Sequence, residues 1–146
     1  MIAYSSAAAV IGSLIAATAD ARTGYIPNSV TRTTSIVVLA LALAAGTGPS
    51  ACAGGLVVGG ALALLYVITR GRGLGLGDVK LATAIGLGLG PLPGIIALGG
   101  AFVGGGVYAS WLLATGRARR QDRIRFGPFL AGAALVGICL FKGSTA

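Results

Sequence analysis

The chain has 146 residues, 55% of them hydrophobic and only 10% charged, with a mean hydropathy of +0.92. A soluble domain carries about a quarter charged residues, so this composition excludes an ordinary soluble fold, and 26 glycines do not signal disorder in so apolar a chain. A net charge of +8 would suit a nucleic-acid partner, but the basic residues sit in short breaks between apolar blocks, which excludes that reading.

The apolar residues run in long blocks, the pattern of helices in lipid. They predict an all-α, polytopic membrane protein of about six transmembrane helices in a single domain over residues 1–146. The predicted spans are 2–19, 32–47, 52–69, 79–91, 94–115 and 127–141. The first ends on Ala17-Thr18-Ala19, which resembles a signal-peptide cleavage site. No Lys or Arg precedes it and further spans follow, so the segment reads as a retained helix. The fourth and sixth spans are short for a bilayer and call for tilt, thinning or burial in protein.

Arg22 and Arg32 fall between spans one and two; Arg70, Arg72 and Lys80 lie at the break before span four. Arg117, Arg119, Arg120, Arg123 and Arg125 precede span six. Ten of the eleven basic residues thus share one face, and only Lys142 lies on the other. By the positive-inside rule, both termini lie outside. This puts two acidic residues at the cytoplasmic face of a plasma membrane: Asp20, ending span one, and Asp78, opening span four.

A carboxylate in a membrane segment costs about 2.5–3.5 kcal/mol at a helix centre, so it usually has a function. The chain has no His and no Glu, and its one further acid, Asp122, sits among the 117–125 arginines as a solvated partner. Two converging carboxyls can share a proton and hydrolyse a peptide bond. One takes a proton from water while the other donates to the scissile carbonyl or leaving nitrogen. Bland readings stand beside this one: Asp20 as an interfacial partner of Arg22, and Asp78 as an N-cap. A proton-coupled carrier is another, and would want its acids near the midplane instead of at one face.

Gly75 and Gly77 beside Asp78 would let an extended backbone approach closely. Pro27 fixes the chain direction before span two, and Asn28 is a candidate cap there. Lys80 reads as snorkelling to the headgroups or orienting Asp78. Cys52 and Cys139 both fall near the outer face, where an oxidising compartment would permit a disulfide, but they read first as buried small apolar residues; without His no metal site is expected. Gly55/Gly59, Gly86/Gly90 and Gly100/Gly104 are small-residue faces for packing within the chain. The glycine runs make no nucleotide-binding fingerprint, and no cofactor is expected.

Three segments then carry a family resemblance. Asp20 followed by Arg22-Thr23-Gly24-Tyr25-Ile26-Pro27-Asn28, then Gly75-Leu76-Gly77-Asp78-Val79-Lys80, resembles the type IV prepilin peptidases, GxGD membrane aspartic proteases. Phe126-Gly127-Pro128-Phe129-Leu130-Ala131 is similar to a third family segment. The resemblance implies that Asp20 and Asp78 are the catalytic pair, with Gly75, Gly77, Lys80, Ile26, Pro27, Asn28, Gly127 and Pro128 shaping the site. It implies a pilin-like precursor as substrate, cut at the cytoplasmic membrane boundary, with anionic headgroups against the basic connections. Longer members carry a cytoplasmic insertion with paired CxxC motifs, associated with N-methylation. Here Arg32 follows Asp20 by only twelve positions and no cysteine lies near. The chain resembles the short, peptidase-only members serving Flp/Tad-type pili, without a methyltransferase domain. A pilin-binding assembly factor that keeps the fold without catalysis remains the alternative.

Overall fold

The structure is a computed structural model and describes residues 2–23, 27–71, 74–117 and 126–141. The described residues form six helices and no strands: α1 (Ile2–Thr23), α2 (Asn28–Ala44), α3 (Gly48–Ile68), α4 (Leu76–Leu89), α5 (Pro91–Ala114) and α6 (Gly127–Phe141). Each apolar block is one helix. The predicted spans begin three or four residues late for α2, α3, α4 and α5, because the turn residues before them are the first turns and caps of the helices. Pro27 caps α2 in extended conformation, and prolines stand in the first turns of α3 and α5. There the missing N–H has no helical partner to lose. Gly90 adopts φ +83°, a glycine conformation, so α4 stops and α5 starts immediately after it.

Successive helices run antiparallel around α4, which touches all five others. Small residues set how closely they approach. A Cβ at Gly54 of α3 would run into the Gly86 carbonyl oxygen of α4 and lie 2.7 Å from the Gly90 Cα. A Cβ at Gly59 would run into the Thr83 hydroxyl. At the other side of α4, the Ser6 hydroxyl of α1 donates to the Gly88 carbonyl at 2.8 Å. Of the expected glycine faces, Gly55/Gly59 and Gly86 pack α3 on α4, and Gly100/Gly104 make ordinary contacts with Ala133 and Phe129 of α6.

Leu62, Leu81, Ile85 and Leu130 form the centre of the interior, and small side chains fill much of the rest of it. Ala9, Ala16, Ala82, Ala84, Ala101 and Ala134 are buried, whereas Ile11, Ile36, Leu56, Val67, Val103 and Leu140 stand exposed. Helices that approach closely need small residues between them, which is where the buried alanines lie. α3 and α5, of 21 and 24 residues, are long and apolar enough to cross a membrane; α2 and α6 are shorter apolar helices. The cysteines depart from expectation. Cys52 and Cys139 are both exposed and free, not buried. Helices that are apolar all round carry no stripe to show which face turns inward.

Candidate functional site

The C-terminal end of α1 meets the N-terminal ends of α2, α4 and α6. Asp20, near the end of α1, is 6% exposed, and Asp78 is 9% exposed. The two carboxyls come from different helices and lie within electrostatic reach of one another.

Asp78 is not the N-cap of α4. Gly75 holds that position, and Asp78 sits in the first turn three residues later. Its Oδ2 accepts the Gly75 N–H at 3.0 Å, while its own N–H donates to the Gly75 carbonyl at 3.1 Å. This reciprocal pair is the carboxylate half of a capping box, and it fixes one oxygen of Asp78. Gly75 is exposed and extended, with φ −91° and ψ 152°, so its backbone does not demand glycine. A Cβ there would lie 3.4 Å from Asp78 Oδ2 and 3.8 Å from the Gly77 N, both ordinary contacts. Gly77 lies half-buried in the same helical turn.

Asp20 is held differently. Its Oδ2 is buried and takes no hydrogen bond from Arg22 or any other described residue. Against it lies Gly127, the first residue of α6, where a Cβ would stand 2.8 Å from Oδ2 and 3.2 Å from the Asp20 Cβ. A side chain there could be accepted only if the Asp20 carboxyl turned away. Pro128 follows, exposed, with no N–H to leave unpaired at a helix start.

Asn28 does not cap α2: Pro27 does, without a side-chain hydrogen bond. The Asn28 Oδ1 instead accepts from Lys80 Nζ at 2.7 Å, tying the first turn of α2 to that of α4. Lys80 is therefore engaged within the chain. Ile26, Asp122, Arg72, Lys142 and the arginines at 119, 120, 123 and 125 lie outside the described residues. The structure thus gathers Asp20, Asp78, Gly75 and Gly127, with the Lys80–Asn28 pair at the same end of the bundle.

Sequence reasoning missed an aromatic cluster on α5 that grips the start of α6. Phe102 packs on Phe126 at 5.0 Å between centroids, and Tyr108 on Phe129 at 5.4 Å. Tyr108 continues to Trp111, over whose ring the Arg117 guanidinium lies at 5.4 Å. Aromatic spacing on α5 was the one available signal.

A model of the type IV leader peptidase family matches residues 7–110, more than half of the chain. The protein belongs to that family. No curated protein and no solved structure matches it. The leader-peptidase match spans Asp20, Pro27, Asn28 and Gly75 through Lys80, and ends before Phe126. Within this leader peptidase the Gly127 segment therefore stands on its contact with Asp20. Membership makes the protein a peptidase of a membrane-associated family, which α3 and α5 fit.

Proposed function

We propose that the protein is an aspartic endopeptidase that removes the basic leader peptide from type IV pilin-like precursors, of the Flp/Tad kind. Asp20 and Asp78 are its catalytic pair. One carboxyl takes a proton from water as that water attacks the scissile carbonyl; the other donates to the oxygen or leaving nitrogen. The observation that carries the reading is the convergence of two buried carboxyls from α1 and α4. All six helices span the plasma membrane as a single peptidase domain, with both termini outside and the aspartates at the cytoplasmic side. Anionic headgroups lie against the basic connections.

A helical substrate hides its carbonyls in hydrogen bonds, so the cleavage segment must be unwound and extended at the site. Gly75 is exposed beside Asp78 and would let such a segment approach, and the family resemblance adds Gly77, Lys80, Asn28, Pro27, Ile26, Gly127 and Pro128 as residues that shape the site.

The test reconstitutes the protein with a Flp-type pilin precursor and follows the precursor's mobility shift. Wild type should cleave, and Asp20→Asn and Asp78→Asn should bind precursor without cleaving it. Full cleavage by either variant would sink the pairing.

A further inference from the structure

Gly127 can cover Asp20 only if the first turn of α6 is held at a fixed depth, and the hold comes from α5. Gly105 of α5 is buried, and a Cβ there would lie 3.1 Å from Cε2 and 3.4 Å from Cδ2 of Phe126. Carbon atoms in good contact stand at about 3.5–4.0 Å, so any side chain at residue 105 would press on the Phe126 ring and shift it. Phe102, one helical turn earlier, closes the notch with its ring at 5.0 Å and 45°. Phe126 also anchors the backbone, since its carbonyl accepts the N–H groups of Phe129 at 3.1 Å and Leu130 at 3.2 Å. The next residue is Gly127, against the Asp20 carboxyl.

We propose that Phe102 and Gly105 are positioning residues of the site: they seat Phe126, and through it they hold Gly127 against the Asp20 carboxyl. The inference rests on the reading of Asp20 as half of the catalytic pair. Neither residue touches the aspartates. They act by fixing which rotamer the Asp20 carboxyl keeps and how much water reaches its Oδ2.

A bulkier residue at 105 lifts the ring and α6 with it. A shift of about 1 Å at a reacting group can cost on the order of 100-fold in rate. The experiment uses the full chain in phospholipid nanodiscs with purified Flp-type pilin precursor, measuring kcat, KM and the pH dependence of kcat. Gly105→Val and Phe102→Ala should each lower kcat at least tenfold at unchanged folded fraction, and move the acidic limb of the kcat profile. A smaller ring substitute, Phe126→Leu, combined with Gly105→Val should recover much of the lost rate. Loss of folded protein alone scales the profile without moving it, so an unmoved profile, or no recovery in the double variant, overturns the proposal. Asp20→Asn is assayed alongside. If it still cleaves, the aspartate pair itself is wrong; if it is inert while Gly105→Val cleaves normally, the positioning alone is wrong.

Discussion

Asp20 and Asp78 are both buried, yet their surroundings differ. Asp78 accepts the Gly75 N–H on one oxygen, while Asp20 Oδ2 is buried without a hydrogen bond from any described residue, close to Gly127. Gly127→Ala would put a methyl 2.8 Å from that oxygen, forcing the carboxyl to turn. We expect cleavage to fall on the order of 100-fold with the thermal midpoint little changed. Turnover at the wild-type level would show that Asp20 does not depend on this contact. Gly75→Ala probes the other acid. The backbone there accepts any residue, and a methyl at 3.4 Å from Asp78 Oδ2 makes ordinary contact, so the fold should be kept. The same methyl stands where an extended substrate would approach, and cleavage should fall about tenfold, mainly through KM. A variant as active as wild type would mean that substrate reaches Asp78 from another side.

Among the helices, α4 is the axis of the bundle, and α3 lies against it backbone to backbone. Gly54→Ala would drive a methyl into the Gly86 carbonyl, so α3 has to withdraw; about 3 kcal/mol of stability should be lost. Gly60→Ala on the same helix meets nothing within 4 Å and should be neutral or stabilising by up to about 1 kcal/mol. Equilibrium unfolding in mixed micelles compares the two, and equal losses would refute the close α3–α4 approach. The same pair shows what the sequence made legible. Six apolar blocks announced six helices, and scarce acids at block edges announced the candidate pair. Gly54 and Gly60 are indistinguishable in sequence, because rotation about an all-apolar helix decides which one faces α4. Cys52 and Cys139 were misjudged for that reason. Asn28 was misjudged because Pro27 took the cap and left its amide for Lys80, 52 residues away. Phe102 and Gly105 matter only once α5 and α6 are packed.

For the whole molecule, orientation is the claim that charge placement makes and impermeant reagents can check. In a Cys52→Ser, Cys139→Ser background, Thr47→Cys lies beyond the end of α2, opposite the aspartates, and Arg117→Cys lies beyond the end of α5, on their side. A membrane-impermeant maleimide added to intact cells should modify Thr47→Cys at once. Arg117→Cys should react only after permeabilisation. The reverse pattern would turn the molecule over and put the site outside.

The contact between Gly127 and Asp20 joins the last of the six helices to the first. In chain order α6 follows the other five helices, so its first turn can reach Asp20 only once they have been made. Until it does, the side of the carboxyl that Gly127 covers stays open. With Asp20 in the proposed catalytic pair, the site of this peptidase is still incomplete while only α1 to α5 exist.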